Sequence, residues 1–486
     1  MKRWVTMLLL AGPVALQAQI PPAEYQARRD SLAARIGDGV VLAFGGRTPV
    51  TDFGPFYQLP AFHYLTGYDY ADAALIMVVR KGRGAGTLFA NRSTPRRALY
   101  YGEEPDSLAI AGLSGGLASR PAGDFAPVAD SLAGSGLPIY AIRDVEDADF
   151  AGADSLTRGG QIIQGLQARH PGLAVNDAYS LVDRLRARKS PAELALIRKA
   201  AEISAVGHRA AMQAISPGMH EYDLQAILEY TFRRQGSERP AYGSIVGSGP
   251  NGTQLHYMKD RRDLKPGEVV VIDAAAEYGG YAADITRTIP VSGSYSAEQR
   301  AIYQVVLESQ KAAERNSGPG KSPQAAQDSS LDVRARGLAA LGLIESPTAT
   351  MDPPWPADCQ RTPRACLQVQ LFAIHGISHG LGLAVHDPMQ ANDGDRTFQP
   401  GDAFTIEPGI YVAAKLLDIL PDTPKNRAFA ARVRDAVARY QGTGVRIEDD
   451  YIVTEQGLER ITRGVPRELS EIEALIRQRG APVPEQ

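Results

Sequence analysis

The sequence predicts a mixed α/β (α+β) chain in two parts, and three observations carry that prediction. From Tyr25 to Leu185 short apolar runs alternate with helical patterns. A basic stretch, Arg184 to Ser190, then leads into a strong helix start and marks a boundary near Lys189. Beyond it, longer helices alternate with strands joined by tight turns. The 486 residues are 44% hydrophobic and 22% charged with a formal net charge of −3, enough for two or three domains with real cores. That balance excludes a disordered chain and offers no dominant polyanion-binding surface, so no nucleic-acid partner is expected. Two cysteines exclude a disulfide-built scaffold and a zinc cluster of cysteine pairs, so any metal is expected on oxygen and nitrogen.

In chain order, Lys2 and Arg3 precede an apolar run, Val5 to Leu16, that ends in Gln17-Ala18-Gln19. This is the layout of a secretory signal peptide over residues 1–18, and it predicts an exported protein, periplasmic or secreted. The run is too short to span a bilayer of about 30 Å, and no later stretch approaches about 18 apolar residues, so no stable membrane insertion is expected after its removal. In an oxidising compartment Cys359 and Cys366 either close a local disulfide or remain two thiols. Residues 19–188 form the first α/β domain, with Val40 to Phe44, Ala73 to Val79, Thr87 to Ala90 and Ile139 to Ile142 as buried strands. Residues 189–486 open with Ser190 as N-cap, Pro191 at the first helical position and Glu193 closing a capping box. Further helices are expected around Glu221 to Arg234 and Ala297 to Glu314. The Gly/Ser/Pro-rich stretches Ser317 to Ser330 and Glu345 to Pro363 read as surface insertions, and Lys415 to Gln441 as an insertion at an entrance or an interface.

Chemistry concentrates in the second part. The apolar run Val269 to Ile272 ends in Asp273, and Glu277-Tyr278-Gly279-Gly280 turns the chain back through Tyr281 to Thr288. A turn centred on Tyr278 and Gly279 would set Asp273 directly opposite Asp284, with Cβ atoms roughly 5 Å apart. Two carboxylates so placed among apolar neighbours either raise a pKa or demand a cation. A second cluster, His375-Gly-Ile-Ser-His379 with His386-Asp387 beyond it, holds three of the eight histidines, and His256 lies upstream. His375 and His379 share a face on a strand and also on a helix. Glu407 and Glu448 each interrupt an apolar strand-like run, where an unpaired charge is costly. Asp273, Asp284, Glu407 and Glu448 together balance two divalent ions, to which one imidazole adds a neutral ligand. Oxygen-dominated ligation favours Mn2+ over Zn2+, Co2+ or Fe2+. Gly247-Ser-Gly249-Pro-Asn-Gly252 fits a dinucleotide fingerprint, yet Thr253 to Asp263 lacks helical periodicity, so no nucleotide loop is expected there.

Five separated segments resemble, in order, the motifs of the aminopeptidase P and prolidase family: Val246 to Gly252 with Leu255-His256-Tyr257, Ile272 to Pro290, His375 to Asp387, Thr405 to Tyr411, and Gly444 to Asp450. The resemblance covers nearly all of Lys189 to Glu455 and implies a pita-bread fold, two αβ halves around a dimetal site. It assigns the metal ligands to Asp273, Asp284, His379, Glu407 and Glu448, the substrate-handling histidines to His256, His375 and His386, and an arginine beside the last ligand to Arg446. Phe62-His63-Tyr64-Leu65-Thr66-Gly67 is similar to the creatinase-type N-terminal domain. The implied activity is that of an Xaa-Pro aminopeptidase, in which metals acidify a water and polarise the scissile carbonyl, Glu407 shuttles a proton, and peptides with proline second are the partners. An Xaa-Pro dipeptidase shares every ligand, and a catalytically inactive pita-bread binding protein is the reading from another class. A homo-oligomer is left open.

Overall fold

The protein is described here by a computed structural model over residues 19–49, 54–145, 156–389 and 397–478. The expected signal segment, residues 1–18, lies outside the described residues.

The N-terminal part is a six-stranded sheet flanked by helices, in the order β4 (Ala118–Pro121), β3 (Arg83–Ala90), β2 (Ala74–Arg80), β1 (Gly39–Phe44), β5 (Ile139–Ile142) and β6 (Val175–Asp177). Strands β1 to β3 are antiparallel, while β4, β5 and β6 each join a neighbour in parallel. Strand β1, Gly-Val-Val-Leu-Ala-Phe, is buried at every residue because both faces of the sheet are covered. Its alternate side chains serve two cores: Val40, Leu42 and Phe44 pack with Phe125 and Leu166, whereas Val41 and Ala43 pack with Leu32 and Leu65.

In the second part the helix Pro191–Ala214 begins with the expected capping box, Ser190 and Glu193 satisfying each other's backbone N–H groups. It packs on the helix Glu221–Arg234 so closely that a Cβ on Gly207 would fall 2.3 Å from the Phe232 ring. This pair backs a sheet of the strands Ile245–Ser248, Val269–Asp273 and Thr286–Pro290. A second helix pair, Ala297–Arg315 and Pro323–Ala340, backs the strands Ala403–Ile406, Asp449–Thr454 and Gly457–Arg460, with the ribbon Gly409–Val412 and Thr443–Arg446 beside them. The two halves join where Glu448 N donates to Thr286 O at 3.0 Å. This is the two-halved αβ arrangement that the resemblance implied.

Four sequence expectations are corrected. The hairpin turns at Gly279 and Gly280, both at positive φ (57° and 80°), so Tyr278 pairs with Tyr281 and Asp273 with Thr286, not with Asp284. A two-residue turn of this hand requires φ > 0 at both central positions, which glycine adopts without strain and Tyr278 would not. The slip is two residues, so Asp284 keeps its face and becomes a diagonal neighbour of Asp273. The stretch Ser317 to Ser330 is not a surface insertion beyond Ser322: Pro323 opens an 18-residue helix in which Ala326 and Ser330 are buried. Its small residues permit close helix packing, Ser309 and Ser330 hydroxyls meeting at 2.6 Å. Lys415 to Gln441 is largely the helix Pro424–Tyr440, which buries Phe429, Val433 and Val437 in the main core. Finally, His375 to His386 is neither strand nor helix; a bridge between Gly380 and Asp387 folds the segment back on itself.

The alternative left open for the cysteines closes as a Cys359–Cys366 disulfide, Cα atoms 5.7 Å apart. Among the described residues no helix is long and apolar enough to cross a membrane.

Candidate active site

Charged side chains reach the centre of the second part because its strands stop there. Asp273 ends the strand 269–273, Asp284 lies in the irregular link before Thr286, Glu407 follows the strand 403–406, and Glu448 separates Arg446 from the strand 449–454. His379 is held beside them by two bonds to the neighbouring strand, Thr405 N to His379 O at 3.0 Å and His379 N to Thr405 Oγ1 at 3.2 Å. All nine residues singled out in the sequence (His256, Asp273, Asp284, His375, His379, His386, Glu407, Arg446 and Glu448) line one cavity of about 260 Å3.

His379 is the hub. Its Nε2 lies 3.4 Å from Asp284 Oδ2, 3.6 Å from Glu407 Oε1 and 3.8 Å from Glu448 Oε1. Ligand atoms of Asp284, His379 and Glu448 fall within 4.8 Å of one another, a spacing that a single cation can bridge. Asp273 joins through Tyr242, whose hydroxyl lies 2.6 Å from Asp273 Oδ1 and 2.5 Å from Asp284 Oδ1. One phenolic proton cannot satisfy both carboxylates, so Asp273 and Asp284 still want positive charge.

Electrostatics point the same way. Burial and the Asp273 charge push the Asp284 carboxyl up. Burial also carries Glu407 up to about 7, and it drives Glu448 well above the carboxylate range, reinforced by Asp284 and Glu407. His379 is carried up to about 9, since its Asp284 hydrogen bond and the Glu407 charge overcome burial. In the protein alone, retained protons and the Arg446 guanidinium are what relieve this charge. Glu448 Oε1 is buried with no hydrogen-bond partner, and it faces the cluster. Hard carboxylate oxygens, one imidazole and an orphaned buried oxygen fit divalent metal ions.

Asp273 differs from the other carboxylates. Burial alone would raise it, but the Arg446 guanidinium, 2.5 Å away, and the Tyr242 hydroxyl hold it below the usual range. Arg446 is itself fixed on several sides, donating to Tyr411 Oη (2.9 Å) and Thr286 Oγ1 (3.2 Å). Thr286 in turn donates to Glu448 Oε2 at 2.7 Å. Tyr411 Oη lies 2.8 Å from His375 Nε2, and His375 Nδ1 lies 2.6 Å from Gly376 O. A carbonyl can only accept, so Nδ1 carries the proton and Nε2 accepts from Tyr411. Burial, helped by Arg446 and Arg334, takes His375 down to about 3 and keeps it neutral.

His379 and His386, seven residues apart, are brought together by a turn between them. The Gly380–Asp387 bridge is that turn, and the two rings lie 4.2 Å apart. Asp387 points away from the cavity, buried between Arg186 and Lys189, and Lys189 Nζ lies 2.7 Å from its Oδ2. Gly382 must be small here, since a Cβ would meet Asp387 Oδ2 at 2.5 Å. Sequence reasoning passed over Tyr242, Tyr411 and Thr286, none of which carries a charge or a periodic signal. It also passed over Asp450, whose Oδ2 accepts from Asp284 N at 3.0 Å and whose place in Glu448-Asp449-Asp450 was the available hint. The glycine-rich segment at Gly249–Thr253 is a short 3-10 turn that opens no helix.

Residues 195–455 match the model of metallopeptidase family M24, and residues 25–136 match the aminopeptidase P N-terminal domain. The chain is 32% identical to the Xaa-Pro aminopeptidase of Escherichia coli (strain K12), the alignment covering 94% of this chain and 98% of the relative. It is 33% identical to human Xaa-Pro dipeptidase over 60% of each chain. A zinc-substituted aminopeptidase P from E. coli in complex with product superposes with a TM-score of 0.77 at 30% identity, covering 96% of this chain and 100% of that one. With a matching domain at each end and a shared fold throughout, the chain belongs to the aminopeptidase P family, an M24 metallopeptidase with its characteristic N-terminal domain.

Proposed function

We propose that this protein is an exported, manganese-dependent Xaa-Pro aminopeptidase that removes the first residue from peptides with proline in second position. The observation that carries the hydrolytic reading is the convergence of Asp284, Glu407 and Glu448 on His379 Nε2 within one cavity. Proline specificity is supported by likeness to Xaa-Pro aminopeptidases over nearly the whole chain. Asp273, Asp284, His379, Glu407 and Glu448 would hold two divalent ions, which supply Lewis acidity to a water and to the scissile carbonyl. The preponderance of carboxylates supports Mn2+ over Zn2+, Co2+ or Fe2+.

The chain's own residues do the rest. Glu407 sits at the cavity wall 3.6 Å from His379 Nε2, placed to take up a proton and return it to the leaving amine. His386 and His256 face the cavity and serve the substrate and the developing negative charge. Arg446, clamped to Asp273, keeps that carboxylate ionised. His375, neutral and tied to Tyr411, lines the cavity beside Glu407, its Nδ1 3.6 Å from Oε2. Export is supported by the charged-then-apolar N-terminal run and by the Cys359–Cys366 disulfide, which suits an oxidising compartment.

The test is a substrate panel on metal-reconstituted protein, comparing Xaa-Pro dipeptides with tri- to nonapeptides that have proline second. Cleavage confined to dipeptides would make it an Xaa-Pro dipeptidase. Mass spectrometry of the N-terminus of exported protein checks for cleavage near residue 18.

A further inference from the structure

Of the three histidines facing the cavity that are not proposed ligands, His256 is held least directly. His375 is fixed by Tyr411 and Gly376, and the His386 ring lies against that of His379. His256 is exposed and makes no side-chain hydrogen bond or ion pair among the described residues. Its place is therefore set by the backbone that carries it. That backbone, 254–263, has no helix or strand of its own.

What fixes it is Glu221, a carboxylate with 0% exposure in the first turn of the helix Glu221–Arg234. One oxygen accepts from Ser248 N (2.7 Å), Ser248 Oγ (2.7 Å) and Asn251 Nδ2 (3.0 Å). The other accepts from Tyr257 Oη (2.9 Å) and Arg262 N (2.8 Å), and Glu221 N donates to Arg262 O at 2.9 Å. Five donors saturate the roughly four lone-pair sites of a carboxylate, so none of its capacity is spare. The donors lie on both sides of His256, one of them the adjacent residue. The same loop meets the site from its other side, where Leu255 O receives Arg446 Nη2 at 3.4 Å.

We infer that Glu221 is a positioning residue for peptide hydrolysis: it gathers both arms of the 248–262 loop onto one buried carboxylate and so holds His256 over the cavity. The inference rests on the proposed role of His256 toward substrate. Glu221 itself touches neither the cavity nor the proposed ligands, which separates its effect from metal binding.

A double-mutant cycle tests it. Glu221→Gln keeps the size but offers one accepting oxygen, leaving backbone donors at Ser248 or Arg262 facing an amide N–H. The expected result is a fall of up to about 100-fold in kcat/KM for a peptide with proline second, the scale of an ångström-sized misplacement. Metal stoichiometry stays the same, and amide exchange accelerates across residues 249–262. In a His256→Ala background the same substitution should change kcat/KM less than about twofold, because the group it positions is gone. Tyr257→Phe, which removes one donor of the five, should give a smaller loss masked in the same way, and it carries the cycle if Glu221→Gln does not fold. Losses that simply multiply in the double variants, or metal depletion in Glu221→Gln, overturn the inference. A His256→Ala enzyme with unaltered kinetics removes the proposed role of His256 and the inference with it; multiplying losses beside an impaired His256→Ala enzyme remove the inference alone.

Discussion

The central strand of the N-terminal sheet and the short strands around the cavity are both fully buried, yet they are stabilised by different means. Strand β1 sends every side chain into apolar surroundings, and its neighbours extend the ladder without interruption. Around the cavity each ladder stops after a few residues so that a carboxylate can turn inward. The space behind those carboxylates is filled with charge: Arg287 and Asp449 pair at 2.7 Å with both side chains at 0% exposure. Arg287 also donates to Glu448 O, Pro466 O and Val465 O. A region that delivers charge to a cavity has less apolar surface to bury and relies on buried ion pairs and hydrogen-bond networks.

The largest expected effect tests whether metal is integral to one region only. Chelation should abolish peptide hydrolysis, with Mn2+ restoring it best. It should also loosen amide exchange around Asp273, Asp284 and Glu448 while leaving strand β1 protected, since a ligand stabilises what it binds, by about 2.7 kcal/mol at a hundredfold excess over Kd. Full activity in protein shown metal-free by elemental analysis refutes this.

Within the cavity, Asp284→Asn and His386→Ala should separate ligation from turnover. The amide removes a unit of charge and a strong oxygen ligand, so metal content should fall. Loss of the imidazole should leave the metals and lower kcat by about 10²–10⁴. Stoichiometry measured beside kcat decides, and the reverse pattern would exchange the two assignments.

Stability mutants probe the contrast itself. Arg287→Met should cost about 3–5 kcal/mol by removing the nearest cation from Asp449, whose Oδ2 keeps Arg467 at 3.4 Å, and the donor to three backbone carbonyls, and adding Asp449→Leu should recover part of it. Leu42→Ala in β1 should cost about 2–5 kcal/mol through a cavity, with no polar partner whose removal would compensate. Denaturant titration of the four proteins measures this, and a double variant no more stable than Arg287→Met would erase the distinction. The smallest effect belongs to the disulfide: Cys359→Ser with Cys366→Ser should lose at most about 3 kcal/mol of stability and keep kcat, as the bond closes a short loop outside the cavity. Loss of turnover in a folded, metal-loaded double variant would contradict it.

The hairpin shows what sequence could and could not convey about the site. That Asp273 and Asp284 share a face follows from the two-residue period of a strand and survives an error in pairing. Which residue lies opposite depends on the backbone sign at Gly279 and Gly280, so Thr286 took the place expected for Asp284. The capped helix at Ser190 was legible because its signal is local, whereas the helix Pro323–Ala340 was not, because its alanines and serines resemble loop composition until another helix packs on them. Tyr242, Tyr411 and Glu221 matter through contacts made across 30 or more residues, which no spacing rule reaches. Asp387 stood inside a histidine-rich motif, but its partners Arg186 and Lys189 lie about 200 residues away.

That buried aspartate limits how the molecule can be divided. The segment carrying His379 and His386 is fastened through Asp387 to the basic stretch that connects the two parts, and Lys189 N also bonds Gly401 O at 3.0 Å. A fragment cut at the basic stretch would keep every proposed ligand and still strand a carboxylate deep in its interior. The connector is thus a component of the catalytic half rather than a tether, and a transplantable version of that half has to begin upstream of Arg186.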